Sequence, residues 1–305
     1  MRQTEERYIS LLTDFGFKRI FGTAPNKDLL IDFLNSLFNG EQVIKHVTYL
    51  NSEHVGDVFA ERKAIFDVYC ENEHGEKFIV EMQNAYQTFF KDRSLYYATF
   101  PIREQASKGE NWNFELQHVY VVALLNYEMS DEAFSADTIN HDVGLLDKQT
   151  YRVFNDKLTF KYVEIAKFKK NEDQLVTNFD KWLYVLRNLS RLDAQPSYLK
   201  NEVFNRLFKA AEIAHFSKTE LREYEDSLKA YRDIKNSLDS AEAKGIEKGL
   251  AEGLAKGLEK GRAEGMIEGG EKKAREIAGK MKSNGIPVDV IMQMTGLSEE
   301  EISSL

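Results

Sequence analysis

Between Ala64 and Gln83 the chain alternates apolar and polar residues in two short runs. They are Ala64-Ile65-Phe66-Asp67-Val68-Tyr69-Cys70 and Phe78-Ile79-Val80-Glu81-Met82-Gln83, with the turn formers Asn72 and Gly75 between them. A period of two around turn residues predicts a β-hairpin running from Lys63 to Gln83. Alternation puts Phe66, Val68, Cys70, Phe78, Val80 and Met82 on one apolar face. Asp67, Glu81 and Gln83 share the other with Ile65, Tyr69 and Ile79. A turn centred between Glu71 and Glu76 sets position 67 against 80 or 81, so the two carboxylates become cross-strand neighbours.

Outside the hairpin the period changes. Apolar residues at three- and four-residue steps predict helix over residues 5 to 38, through Ile9, Leu12, Phe15, Phe17, Ile20 and Phe21, with a break at Pro25 and a stop at Asn39-Gly40. Val43 to Leu50 reads as a short strand. Residues 92 to 108 read as helix kinked at Pro101. His118 to Leu125 is nearly continuous in apolar residues, the pattern of a strand buried on both faces. Two further strands are expected near Tyr151 to Phe154 and Leu158 to Ile165, and helix from Gln174 to Ser237, with Leu175, Phe179, Trp182, Leu183 and Leu186 on one stripe. This order predicts an α/β or α+β sheet with helices packed against it.

From Lys244 the pattern changes again: Gly245, Gly249, Gly253, Gly257, Gly261, Gly265 and Gly269 recur every fourth residue among Lys, Glu, Ala and Leu. Four residues advance a helix by roughly 400°, so the glycine stripe winds around the rod and cannot form one straight seam. Lys or Glu precedes each of these glycines, which excludes a membrane GxxxG face. A charged helical spacer and a self-association rod both fit. Beyond it, two short helices joined by Thr295-Gly296-Leu297-Ser298 resemble half of a helix-turn-helix. Glu299, Glu300 and Glu301 oppose entry into a DNA groove and favour a small interaction segment. The expected divisions are 1–240, 241–270 and 271–305.

Composition narrows the chemistry. The 305 residues include 20 Phe and 14 Tyr, which excludes a disordered body. Cys70 is the single cysteine and six His are scattered, so neither a disulfide framework nor a zinc site is expected. Residues 1–10 are polar and no run of eighteen apolar residues occurs, so neither a signal peptide nor a membrane span is expected and the cytoplasm is the expected location. The net charge of −9 opposes a protein that coats nucleic acid but is compatible with an enzyme whose acids bind metal. GxSxG, P-loop, HExxH and post-strand GxGxxG motifs are absent.

Two readings of the acid pair stand at this point: charges on the wet face of an ordinary hairpin, or ligands for a hard cation such as Mg²⁺, which takes carboxylate and phosphate oxygens. The chain resembles the PD-(D/E)XK nuclease superfamily, specifically the Rpn-type recombination-promoting nucleases of the transposase family. That resemblance rests on Asp14-Phe15-Gly16-Phe17-Lys18-Arg19-Ile20-Phe21-Gly22, Asp67 and Glu81-Met82-Gln83. It continues through Arg93, Tyr97, Gln105, Gly109, the strand Val119 to Leu125, Asp180-Lys181-Trp182-Leu183 and the glycine-repeat tail.

The resemblance implies a restriction-endonuclease-like mixed β-sheet core flanked by helices, with a C-terminal helical bundle and the glycine-repeat helical tail. It implies a Mg²⁺- or Mn²⁺-dependent DNA endonuclease with Asp67, Glu81 and Gln83 catalytic and Asp67, Glu81 and the Met82 carbonyl at the metal. Gln83 stands where the superfamily usually has lysine, and an amide can orient water but carries no charge. Asp14 is a further acid candidate or the surface partner of Lys18, and Arg93 a phosphate holder or the ion-pair partner of a hairpin acid. DNA is the expected partner, with homo-oligomers through the tail. A catalytically quiet scaffold that keeps the nuclease fold is the alternative.

Overall fold

The computed structural model describes residues 6–54, 64–106, 113–129 and 133–305. The chain divides into two units, Met1–Ser237 and Leu238–Leu305. In the first unit a six-stranded mixed sheet is built from β1 (Val47–Tyr49), β4 (Val68–Asn72), β5 (Lys77–Gln83), β6 (Val119–Leu125), β7 (Asn140–Leu146) and β8 (Val153–Glu164). Its order is β1-β4-β5-β6-β8-β7, and β2 (Glu53–His54) pairs separately with β3 (Ala64–Ile65). β5, β6 and β8 run parallel, and the outer pairs are antiparallel.

Both sheet faces are covered. On one lie α1 (Asp14–Phe21), α2 (Lys27–Phe38), α4 (Asn178–Asn188) and α5 (Glu202–Ala211), whose apolar stripes meet Val68, Cys70, Phe78, Val80, Met82, Val122 and Leu124. Trp182 is the hub: its ring lies 5.6 Å from that of Phe21, 5.7 Å from Phe33 and 5.1 Å from Phe204. Its indole N–H donates to Asp32 at 2.6 Å, so a buried polar group is satisfied. On the other face α3 (Phe90–Glu104) brings Phe90, Ala98 and Phe100 against Tyr69, Ile79, Val121, Ala123 and Tyr162. Every residue of β6 is buried, as its unbroken apolar run requires.

Several expectations need correction. Residues 6–13 are not helical: Ile9 donates its N–H to the Ala211 carbonyl, and Tyr8 bridges to Glu212. All residues from Tyr8 to Thr13 are buried, which a one-sided helix could not achieve, and Thr13 caps α1 through its side chain. The strand expected over Val43 to Leu50 is only Val47–Tyr49. The two strands expected after residue 150 are one, β8, and its partner β7 escaped detection because it is mostly exposed and lacks a clean alternation. The helical region after Gln174 is interrupted between α4 and α5 and again before α6 (Lys218–Ser283). Pro101 falls within α3, which continues to Glu104. Lys63, Lys108 and Gly109 lie outside the described residues.

In the second unit all seven glycines of the four-residue repeat fall within α6, where an added Cβ would meet nothing within 4 Å. No packing within the unit requires their small size. The end of α6 folds against α7 (Val288–Thr295) and α8 (Glu299–Ser303) around Ala278, Ile291, Leu297 and Ile302. Gly296 takes a positive φ of 72° to end α7, and Ser298 with Glu301 forms the capping box that starts α8. Among the described residues no helix is long and apolar enough to cross a membrane.

Candidate active site

The acid pair forms where the hairpin ladder ends. Val68 is registered on Val80, so the next position outward faces Asp67 to Glu81. The first arm is not a continuous strand: β3 stops at Ile65 and β4 starts at Val68, and across that break the alternation slips. Phe66 therefore packs with Tyr69 and Ile79 on the α3 face and not with Val68, contrary to the simple alternation. The reason is tertiary: α3 offers Phe66 edge contacts with Tyr97 and Phe100, at ring separations of 5.1 and 6.1 Å.

The break frees the Asp67 backbone for the site. Its N–H donates to Glu81 Oε1 at 3.2 Å, while the Met82 N–H donates to Asp67 Oδ2 at 2.8 Å. Each carboxylate is thus pinned by the opposite strand. Gln83 Nε2 donates to Glu81 Oε2 at 3.2 Å, and Arg93 Nη2 from α3 reaches the same oxygen at 3.4 Å. The face is not wet: Glu81 and Gln83 are 4% and 7% exposed, beside fully buried Ile79, so the reading of two solvated acids fails.

Burial dominates the electrostatics. Desolvation, then the charge of Asp67, push the Glu81 carboxyl from its ordinary 4.5 up to about 8, against the Asp67 N–H and Arg93. Asp67 is raised too, again by burial first, with the Met82 N–H and the charge of Lys18 opposing. Arg93 stacks over Phe90 and Tyr97, with its guanidinium carbon 5.7 and 5.1 Å from the ring centres, and Nη1 donates to Gln87 at 2.7 Å. Its Nε is buried without a hydrogen-bond partner. Arg93 therefore pairs with a hairpin acid and still has a donor to offer.

Asp67 also opens onto a cleft of about 620 Å³, lined from α1 by Asp14 and Lys18. Asp14 and Lys18 pair at 2.7 Å. From sequence, Lys18 reads only as an i,i+4 surface partner; nothing local announces that α1 docks beside the hairpin. Gly16 permits the tight entry of the chain into α1, because a Cβ there would collide with the Ser10 carbonyl oxygen. Among the described residues no three His, Cys, Asp or Glu side chains converge into a ready metal cage. Asp180 of the Asp-Lys-Trp-Leu segment is elsewhere, accepting from Lys170 and capping α4 with Thr177.

Residues 11–241 match the family model for PD-(D/E)XK nuclease family transposases, and residues 271–305 match that for the C-terminal HTH domain of the Rpn/YhgA-like nuclease family. The second match covers the segment whose Thr-Gly-Leu-Ser turn joins α7 to α8. No curated protein and no solved structure matches the chain. With three quarters of its length in the first match, over a mixed sheet flanked by helices that is consistent with the restriction-endonuclease-like fold, the chain belongs to the PD-(D/E)XK nuclease family of transposases.

Proposed function

We propose that this chain is a divalent-metal-dependent DNA endonuclease whose reaction centre is the Asp67–Glu81 pair. The observation that carries the reading is that a buried Glu81 and a half-buried Asp67 are pinned side by side by backbone N–H groups while both carboxyls are held above the usual carboxylate range. Two bare acids in that position repel each other, and a cation relieves the repulsion. The donor set fits a hard ion such as Mg²⁺ or Mn²⁺, held by Asp67 and Glu81 with the Met82 carbonyl, leaving most of its coordination to water and phosphate oxygens. Such an ion, when bound, lowers the pKa of a water and withdraws charge from a phosphate oxygen.

The chain's own groups supply the rest. Gln83 keeps Glu81 oriented through its amide N–H, and its carbonyl oxygen is available to align the attacking water. Arg93 offers its unpartnered Nε and the weakly held Nη2 to a phosphate oxygen, a fork suited to that anion. Asp14 adds a third acid on the rim of the cleft. The helix-turn-helix segment would bring the chain to DNA, through contacts other than insertion of the acidic start of α8 into a groove.

Plasmid cleavage tests this reading: Mg²⁺ or Mn²⁺ supports nicking, EDTA stops it, and Asp67→Ala or Glu81→Ala abolishes it. Cleavage that survives both substitutions would remove the pair from the mechanism. The neutral amide at Gln83 favours one second reading, a quiet nuclease-fold scaffold that associates through its tail. That scaffold predicts no cleavage and a melting temperature indifferent to millimolar Mn²⁺.

A further inference from the structure

Relative to the superfamily pattern, Gln83 leaves the strand without its usual cation beside the acid pair, and the cleft on which Asp67 opens shows where one can come from. Two basic side chains line it, Lys18 and Arg19. Arg19 is already committed: Nη1 holds Glu220 at 2.5 Å, Nε donates to the Ala210 carbonyl at 3.0 Å, and its guanidinium carbon sits 4.1 Å from the centre of the Phe216 ring. Among the described residues Lys18 pairs with Asp14, itself a largely exposed acid on the same rim. Burial works against its charge, and the hydrogen bond to Asp14, then the charges of Asp14, Asp67 and Glu81, outweigh it and hold the ammonium pKa above its ordinary value.

We propose that Lys18, carried on α1 and lining one cleft with Asp67, is the cationic side chain of this centre and contacts the scissile phosphate. This rests on the nuclease reading. A strand lysine would approach from β5; Lys18 comes instead from α1, through the cleft it lines with Asp67. Asp14 then serves as its tether, holding the ammonium at the rim until a phosphate group takes over the contact. The pair Asp14–Lys18 thereby acquires a role that a helix-surface ion pair does not have.

The test uses the full chain and four forms: wild type, Lys18→Met, Gln83→Lys and Lys18→Met/Gln83→Lys, with melting temperatures confirming that each folds. In Mn²⁺-dependent plasmid cleavage, Lys18→Met is expected to lower kcat about a hundredfold with KM little changed, the signature of a contact strengthened in the transition state. The double variant is expected to recover at least about tenfold of that loss, because the strand lysine replaces the charge at the same acids. A packing role for Lys18 would not be rescued from position 83.

A second readout is independent of turnover. Lys18 repels a cation at Asp67–Glu81, so Mn²⁺ alone, titrated by melting-temperature shift, should bind Lys18→Met roughly three- to tenfold more tightly than wild type, and Gln83→Lys should reverse the gain in the double variant. Cleavage by Lys18→Met at the wild-type rate, or absence of rescue by Gln83→Lys, would overturn the proposal. If wild type cuts no DNA, the nuclease reading falls, and unchanged Mn²⁺ binding in Lys18→Met would then remove Lys18 from the centre as well.

Discussion

Glu81→Gln removes one charge from the pair while an amide oxygen remains to accept the Asp67 N–H. In the folded chain Glu81 is raised from 4.5 to about 8, so between those pH values the native state holds a proton that the unfolded chain has released. The sign follows from that proton. Stability associated with Glu81 is fully present below 4.5, falls as pH rises through the window, and is lost above 8. Each pH unit of a one-proton difference is worth about 1.4 kcal/mol, so from pH 5 to pH 7 the apo protein should lose roughly 3 kcal/mol that Glu81→Gln retains. Urea unfolding of both proteins at half-unit pH steps, in EDTA, measures the difference and cancels the titrating groups that do not interact with Glu81. Saturating Mn²⁺ should flatten the wild-type slope, because the ion replaces the proton. Parallel pH slopes for wild type and Glu81→Gln, within about 0.3 kcal/mol per unit, would refute the buried, coupled acid pair.

Gly16→Ala should destabilise the chain by about 1–3 kcal/mol in urea unfolding and lower cleavage with it, since the new Cβ meets the Ser10 carbonyl and displaces the start of α1. In the tail the opposite holds: Gly253→Ala and Gly257→Ala meet open space and should each add about 1 kcal/mol of helix stability, visible as higher ellipticity on warming. Ser298→Ala removes the side chain that accepts the Glu301 N–H and should weaken α8 by about 1 kcal/mol, seen as faster amide exchange there.

What could be read from the residues, and what could not, divides along contact range. The hairpin is local: turn residues and period two place Asp67 opposite Glu81 without any knowledge of the rest of the chain. The slip at Phe66 is not local, because it depends on Tyr97 and Phe100 of α3 drawing that ring to the second face. Residues 8–13 carry apolar groups at helical spacing but are buried throughout without forming helix, an outcome decided by the Ala211 carbonyl and Glu212. β7 is an exposed edge strand with polar residues at its start, and edge pairing leaves little periodic trace. Lys18 was legible as a partner of Asp14 alone; its place on the cleft depends on how α1 packs against the rest of the chain, which no local spacing shows.

The central strand has a consequence for handling the protein. β6 carries no charge over seven residues, and both its neighbours are parallel to it, so neither edge can be closed by a short turn. Pairing with β5 must span the crossover through α3, and pairing with β8 must wait for the connection through β7. Until then a segment of high β-propensity stands open to pairing with its counterparts in other chains. Refolding yield should therefore fall steeply with protein concentration, and aggregates should be nucleated by Val119–Leu125.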